Sequence, residues 1–171
     1  MKGQLHFRGM QVSTTHGGEL AEGKRKSARP IHTKKAMHLV LKSDYAIGKS
    51  SFLQNEKYVS KLISQYSKKF HVRVYSLAVN TNQLHILVRA KTREGFKAFL
   101  RTVTGLIARY LMKKMHHKVE HFFTESIYSH IIEWGRAFLI AKSYLLQNEL
   151  EVYGILAYMP RNHRRPRRTK K

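Results

Sequence analysis

Two short segments contain side chains whose types and spacing could do chemistry. Gln83 and His85 lie two positions apart in an apolar stretch, so on a β-strand they point to the same face. An imidazole nitrogen beside an amide oxygen could hold a hard divalent cation such as Mg²⁺ or Mn²⁺. A lone strand histidine is more often structural, so this pair by itself does not establish a metal site.

The second segment carries Tyr144, followed by Gln147 and Asn148. Positions i, i+3 and i+4 share one face of a helix, so this face would present a phenol beside two amides. Tyr144 could equally be a core residue. The same segment has other apolar side chains that could supply a core face without it: Phe138, Leu139, Leu145 and Leu146.

Hydrophobic periodicity predicts the elements that must position these side chains. Strands are expected at Ala36–Lys42, Val72–Val79, Gln83–Ala90 and Ser126–Trp134, and helices at Phe52–Phe70, Gly95–Met115 and Arg136–Val152. The run Asn80-Thr81-Asn82 is a turn signal that joins the second and third strands into a hairpin.

The predicted order is β-α-β-β-α-β-α, and its first six elements match the ferredoxin-like βαββαβ arrangement. We therefore predict an α+β fold in which an antiparallel sheet carries two helices on one face. On the third strand Leu84, Ile86 and Val88 would point to those helices, so Gln83 and His85 would point to the other face. An extra C-terminal helix would pack near that other face.

The charge balance of the chain favours a polyanionic partner. It has 33 Lys and Arg residues against 10 Asp and Glu residues, a formal net charge of +23 over 171 residues. A surplus this large produces a positive field over much of the surface, which favours nucleic acid. Basic ribosomal proteins and peripheral proteins on anionic membranes carry similar charge, so charge alone does not indicate catalysis.

The chain contains no cysteine, so disulfides and thiolate metal sites are excluded and any metal would have nitrogen and oxygen ligands. The stretch from Met1 to Glu22 lacks the apolar core of a secretory signal. No run approaches the ~18 apolar residues of a membrane span. We therefore expect a soluble, cytoplasmic protein with no membrane partner.

Length and composition predict one domain between two basic tails. Residues 1–30 are expected to form an irregular basic segment because they offer few apolar side chains. Residues 31–157 would form the domain that holds the site. Residues 158–171 would form a basic tail that is disordered unless phosphates order it.

Several segments resemble one protein family, the HUH-type single-tyrosine transposases of the insertion-sequence-200-like and REP-associated groups. The segment AVNTNQLHILVRA at 78–90 resembles their strand, in which an Asn after a turn precedes His-hydrophobic-His. The segment YLLQN at 144–148 resembles their nucleophile helix, where Asn or Gln follows the Tyr at i+4. Three further stretches are similar to the family's first strand, central helix and last strand: MHLV at 37–40, FKAFLRTVTGLIARY at 96–110 and FFTESIYSHII at 122–132.

The resemblance implies a metal-dependent enzyme that nicks and transfers single-stranded or hairpin DNA. It makes Tyr144 the catalytic nucleophile, which forms a 5′-phosphotyrosine and frees a 3′ hydroxyl. It makes His85, Gln83 and Asn148 the ligands of Mg²⁺ or Mn²⁺, although the family has a histidine where this chain has Gln83. His38 and Gln147 would lie beside the site. A DNA substrate further implies association with the nucleoid.

Basic residues of the predicted domain are candidate phosphate contacts: Lys34, Lys35, Lys42, Arg89, Arg101 and Arg109.

Two other functions are compatible with the sequence. Gln83 in place of a histidine favours a DNA-binding module of the same fold with weakened catalysis. An RNA-binding ferredoxin-like domain is the third, although such sheets usually expose aromatic residues on their central strands. In the family, some members exchange the nucleophile helix within a homodimer and others act alone.

Overall fold

The computed structural model describes residues 13–18, 27–115 and 119–158, and in these ranges one antiparallel sheet of five strands packs against three helices. In chain order the elements are β1 (Thr15–His16), β2 (Ala36–Lys42), α1 (Glu56–Lys69), β3 (Val72–Val79), β4 (Gln83–Ala90), α2 (Arg93–Met112), β5 (Tyr128–Ile132) and α3 (Arg136–Val152). The strand order is β1-β5-β2-β4-β3. From β2 to β5 this is the ferredoxin-like βαββαβ topology, so the predicted α+β fold with an added C-terminal helix is confirmed.

The main core lies between the sheet and the layer of α1 and α2. Alternate residues of the two central strands enter it because successive strand side chains point to opposite faces. From β4 these are Leu84, Ile86 and Val88, each no more than 1% exposed, as the alternation predicted. This parity leaves Gln83 and His85 on the opposite face.

That opposite face is covered by α3, which packs mainly on β3 and also touches β4 and β5. A second, smaller apolar cluster joins the helix to the sheet. Leu145 of α3 is fully buried there. Its buried neighbours come from four strands: Ala36, Ala78, Leu87 and Ile132.

Helix α1 begins later than the sequence predicted, because the Asn55 side chain forms hydrogen bonds with the backbone that precedes it. The chain forms 3₁₀ turns at Gly48–Ser50 and Leu53–Asn55 before the α-helix starts at Glu56. The buried amide of Asn55 donates hydrogen bonds to the carbonyls of Lys49 and Ser51, at 2.9 and 2.7 Å. An Asn side chain that bonds nearby carbonyls offers the backbone an alternative to the helix.

Strand β5 is shorter than the predicted Ser126–Trp134, because other groups bind the backbone beyond its pairing with β2. The carbonyl of Ser126 accepts from the Gly18 amide at 2.7 Å, and that of Ile127 accepts from the Arg29 guanidinium at 2.7 Å. The same edge pairs with β1, a two-residue strand that was not predicted within the N-terminal segment 1–30.

Parts of the predicted tails lie outside the described residues: 1–12 and 19–26 of the N-terminal segment, and 159–171 of the basic C-terminal tail. Within the described ranges, no helix combines the length and the apolar character that crossing a membrane requires.

Candidate functional site

The centre of the site is His85, which lies on β4 between β2 and β3. Its strand partners are Val40 on one side and Ala78 on the other, and its side chain is 5% exposed. The Nε2 atom of His85 lies 3.2 Å from Oε1 of Gln83, so the two side chains do share one face. The tight turn before β4 brings Gln83 to the pocket end of the strand.

A second imidazole, His38 of β2, packs against the first. Its Nε2 lies 3.3 Å from Nδ1 of His85, and the two rings are nearly parallel with centroids 5.4 Å apart. Burial lowers the pKa of His38 to about 3, helped by the charges that His85 and His130 would carry. His38 is therefore neutral at physiological pH. A single proton can then lie between its Nε2 and the Nδ1 of His85, carried by one ring or the other.

Two proton arrangements satisfy the contact between the histidines, and the first of them also gives the Gln83 oxygen a donor. In the first, His38 donates to Nδ1 of His85, and Nε2 of His85 donates to Gln83. In the second, Nδ1 of His85 donates to His38, so Nε2 keeps a lone pair directed at the pocket. Only the second form can bind a cation at Nε2, and the partner of the other ring nitrogen sets the tautomer. His38 is thus placed to select the ligand form of His85.

Helix α3 brings Tyr144 over these histidines. The Tyr144 ring meets His85 edge-on with centroids 6.0 Å apart, and it meets His38 edge-on at 6.2 Å. Leu145, the next residue, is the buried side chain that holds this part of α3 to the sheet. The phenol and the imidazole therefore belong to one site within a single chain.

An open pocket of about 330 Å³ lies where these side chains meet. Its lining contains four residues that the sequence singled out: Gln83, His85, Tyr144 and Asn148. It also contains four that the sequence reasoning missed: Asn80, Glu151, Val152 and Tyr158. Glu151 follows Tyr144 by two helical turns, so extending the helical spacing would have found it.

The other predicted helix amide, Gln147, has a supporting position. It does not line the pocket, and its Nε2 donates a hydrogen bond to Oε1 of Glu151 at 2.9 Å. This contact orients the pocket's carboxylate. Asn148 is 4% exposed and lines the pocket beside Tyr144, as its i+4 spacing predicted.

The donors around the pocket fit a hard divalent cation in type, though they form an unusual set. They are one imidazole, amide oxygens and one carboxylate, which suit Mg²⁺ or Mn²⁺ better than a softer metal. Among the described residues there is no group of three His, Cys, Asp or Glu side chains that could hold a metal. A metal here would depend on the amides of Gln83 and Asn148 as well as on His85.

The predicted phosphate contacts are spread over the molecule. Lys35 and Lys42 form ion pairs with Glu133 and Glu125 respectively, the second at 2.6 Å. Lys34 is exposed, and Arg89 lies half-buried near the end of β4. Arg101 and Arg109 are exposed on α2. Because α2 packs on the other side of the sheet, those two do not join the face that holds Tyr144.

One family model matches most of the chain, and solved structures are similar to it in fold. The family model described as IS200-like transposase matches residues 32–148. A solved structure of a REP-associated tyrosine transposase bound to a REP hairpin is similar over 74% of this chain and 73% of that one, with 10% identity and a TM-score of 0.55. A candidate transposase from Deinococcus radiodurans R1 matches 73% of this chain and 98% of its own, with 14% identity and a TM-score of 0.44. No curated protein matches the chain.

Proposed function

Because the chain belongs to the IS200-like transposase family, we propose that it cleaves and rejoins single-stranded DNA through a covalent bond to Tyr144. The observation that carries this proposal is the contact between Tyr144 of α3 and His85 of β4, whose ring centroids lie 6.0 Å apart in one pocket. One phosphodiester could therefore contact both the phenol of Tyr144, as nucleophile, and a divalent cation held by His85.

In the proposed reaction, the phenolic oxygen of Tyr144 attacks phosphorus and the bond from phosphorus to the 3′ oxygen breaks. The products are a 5′-phosphotyrosine and a 3′ hydroxyl, because the departing oxygen takes up a proton from water. The proton of the phenol needs an acceptor, and Glu151 is the carboxylate in the pocket lining. Attack by another 3′ hydroxyl then rejoins the strand without ATP, because the phosphotyrosine is itself a phosphodiester.

The residues that would hold a divalent cation are His85, Gln83 and Asn148. When bound, Mg²⁺ or Mn²⁺ would polarise the non-bridging oxygens of the phosphate and offset the charge that develops there. The contribution of His38 is to accept a hydrogen bond from the Nδ1–H of His85, which keeps Nε2 available as a ligand.

The proposed substrate is DNA in single-stranded or hairpin form. The net charge of +23 favours a polyanion, and the similar REP-associated transposase is described as bound to a hairpin. Phosphate contacts make binding fall with salt, by about 0.7 in the logarithmic slope for each contact to a single strand. We expect the exposed Lys34 and the half-buried Arg89 to contribute because they lie outside the α2 layer.

The contact between Tyr144 and His85 is made within one chain, so the proposal includes catalysis in cis. A mixture of His85→Ala and Tyr144→Phe proteins tests this directly. If each chain uses its own nucleophile, the mixture forms no covalent adduct. An adduct that appears only on mixing would show that two copies exchange α3.

The covalent intermediate is the experimental test. The protein is incubated with a labelled hairpin that carries single-stranded flanks, with Mg²⁺, with Mn²⁺ or with EDTA, and analysed on a denaturing gel. We expect a metal-dependent adduct that is lost in Tyr144→Phe and kept in Tyr158→Phe, the other phenol of the pocket. An adduct that survives Tyr144→Phe would contradict the assignment.

One observation favours a second function, a DNA-binding module with weakened catalysis. Gln83 offers an amide oxygen where the resembled family has an imidazole, and an amide is the weaker ligand for transition metals. Gln83→His distinguishes the two functions. Cleavage that appears only in this variant supports the module, whereas cleavage by the unaltered chain supports the enzyme.

The RNA-binding alternative is disfavoured by the position of α3. RNA-binding sheets of this type stack bases on bare central strands. Here α3 packs on β3 and β4, and its Leu145 is fully buried against that face.

A further inference from the structure

An aromatic cluster at the far end of the α3 face is not used by the mechanism above. It consists of Tyr75, Trp134 and Phe138, here called the aromatic corner. Tyr75 meets both of the others edge-on, with centroids 5.6 Å from Trp134 and 5.2 Å from Phe138. The Trp134 and Phe138 rings lie 4.9 Å apart. The corner lies where β3, the β5–α3 loop and the first turn of α3 meet.

A break in strand pairing places Tyr75 at this corner. The pairing of β3 with β4 shifts between Val74 and Ser76, so Tyr75 is an extra residue opposite the regular register. Bulges of this kind redirect a side chain and are frequent beside functional sites. Trp134 is held from the other side, because its indole N–H donates to the carbonyl of Lys34 at 2.7 Å.

Packing alone does not explain the exposure of the corner. Leu145, which anchors α3, is fully buried, whereas Trp134 remains 43% exposed. A tryptophan contributes most to packing when its whole ring leaves water. Part of Trp134 therefore remains available as an apolar surface for a ligand.

Positively charged side chains lie near the aromatic corner. The guanidinium of Arg73 lies 5.3 Å from the centre of the Tyr75 ring, and Arg73 pairs directly across the strands with Arg89. Like charges directly opposite in a sheet are destabilising. A phosphate between them would remove that penalty and bind both. Arg136, exposed at the start of α3, adds a third positive charge two residues after Trp134.

The corner lies along the surface that leads to Tyr144. Phe138 precedes Tyr144 by six positions on α3, which is about 9 Å at 1.5 Å per residue. A stacked strand covers that distance in about two to three nucleotides, at roughly 3.4 Å each. The Trp134 ring lies a further 4.9 Å from the Phe138 ring, so a strand whose phosphate lies at Tyr144 reaches Trp134 with a base about four nucleotides away.

We propose that the aromatic corner, together with Arg73 and Arg89, is a binding site for single-stranded DNA flanking the scissile phosphate. One base stacks on the exposed ring of Trp134, and the adjoining phosphate lies between the two arginines. This inference depends on the proposed function for its choice of DNA as the ligand. Base stacking on aromatic side chains accepts any base, so the site contributes affinity and position more than sequence specificity.

Fluorescence provides a direct test, because Trp134 is the single tryptophan of the chain. The Tyr144→Phe variant is titrated with a hairpin that carries single-stranded flanks and with the same hairpin cut blunt. We expect the flanked hairpin to change the intensity of Trp134 emission and the blunt one to leave it unchanged. Unchanged emission at saturation with the flanked hairpin, or an equal change with both, would overturn the proposal.

Binding measurements on variants give a second test. Trp134→Leu should weaken binding of the flanked hairpin by about fivefold or more, the loss expected for one stacked base, and leave the blunt hairpin unaffected. Tyr66→Leu is the matched control, since Tyr66 also has a cation over its ring but lies on α1, in the opposite layer. Equal affinity of Trp134→Leu and the unaltered chain for the flanked hairpin would contradict stacking.

The arginine contribution is read from salt dependence. Arg73→Gln should reduce the logarithmic salt slope by about 0.7, the value for one phosphate contact to a single strand. Lys69→Gln, which removes the cation over Tyr66, should leave the slope unchanged. Equal slopes for Arg73→Gln and the unaltered chain would refute the phosphate contact, even where Trp134→Leu fails to fold.

These experiments distinguish failure of the proposed binding site from failure of the proposed enzyme activity. A change in Trp134 emission with the flanked hairpin, without any covalent adduct in the unaltered chain, would support the binding site and contradict the proposed enzyme activity. A covalent adduct without a change in Trp134 emission would support the enzyme activity and contradict the binding site. Tighter binding of an RNA flank than of the DNA flank would overturn the choice of DNA.

Discussion

The attachment of α3 to the sheet leads to the sharpest prediction, because the residue next to Tyr144 is the fully buried apolar side chain of this helix. Leu145 is fully buried in the small cluster between α3 and the sheet, whereas its neighbour Leu146 is 53% exposed. Leu145→Ala and Leu146→Ala therefore make the same chemical change, one residue apart, in opposite environments. Any difference between them reports the burial alone.

The magnitude follows from the atoms removed. Truncating a buried leucine to alanine loses about 2 to 3 kcal/mol of transfer free energy, at about 0.8 kcal/mol for each carbon. The cavity left behind adds to this, and buried Leu-to-Ala changes typically total about 3 to 5 kcal/mol. For Leu145→Ala we expect about 3 kcal/mol, because the cluster is small and can partly collapse. For Leu146→Ala we expect a change within about 0.5 kcal/mol.

Two assays measure the consequence. Urea denaturation gives the loss in the free energy of unfolding, and hydrogen exchange shows whether α3 opens while the sheet stays protected. A shifted phenol also slows attack, since a misplacement of about 1 Å can reduce a rate by about a hundredfold. We therefore expect Leu145→Ala to lose most adduct formation. Equal stability and equal α3 exchange in the two variants would refute the reasoning.

Two further predictions concern a glycine contact and a buried histidine. A Cβ on Gly95 would lie 2.6 Å from the carbonyl oxygen of Phe70, whereas one on Gly105 would meet nothing within 4 Å. In urea denaturation, Gly95→Ala should therefore lower the free energy of unfolding by about 1 to 3 kcal/mol, while Gly105→Ala should raise it by about 0.5 to 1 kcal/mol; changes of the same sign would contradict the close approach. His38, which faces His85, His130 and Tyr144, has its pKa lowered from 6.5 to about 3. Between these values the unfolded chain binds more protons, so the free energy of unfolding should rise with pH, by up to about 1.4 kcal/mol per unit. His38's stabilising contribution is present in full above 6.5 and is lost as pH falls towards 3. Urea denaturation at about pH 5 and about pH 7 should therefore give a smaller difference for His38→Gln than for the unaltered chain, and equal differences would contradict the burial of this imidazole.

Strands β2, β3 and β4 and helix α3 were predictable because their patterns are local. Alternation in Gln83–Ala90 and the turn before it determine which face His85 occupies, and both were read from the sequence correctly. The start of α1 was not, since it depends on bonds from Asn55 to carbonyls several residues earlier. The strand at Thr15–His16 was also missed, because two residues carry no alternation to detect.

The site shows the same division. Tyr144 and Asn148 share a helix face by spacing alone, and both line the pocket. Tyr158 and Asn80 reach it only through the fold, from beyond the end of α3 and from the hairpin turn. The contact of Trp134 with Tyr75 involves a bulge in another strand, so no local pattern could have indicated it.

The most direct test of the central claim is to identify the residue that becomes linked to DNA. The adduct formed with a flanked hairpin and Mn²⁺ is digested with protease and nuclease, and mass spectrometry locates the nucleotide-bearing peptide among the chain's 9 tyrosines. The peptide that begins after Lys142 and ends at Arg161 contains Tyr144, Tyr153 and Tyr158, so its fragment ions identify the modified residue, and the account predicts Tyr144 alone. Modification of Tyr158, the other phenol in the pocket, or of any tyrosine outside it would contradict the account.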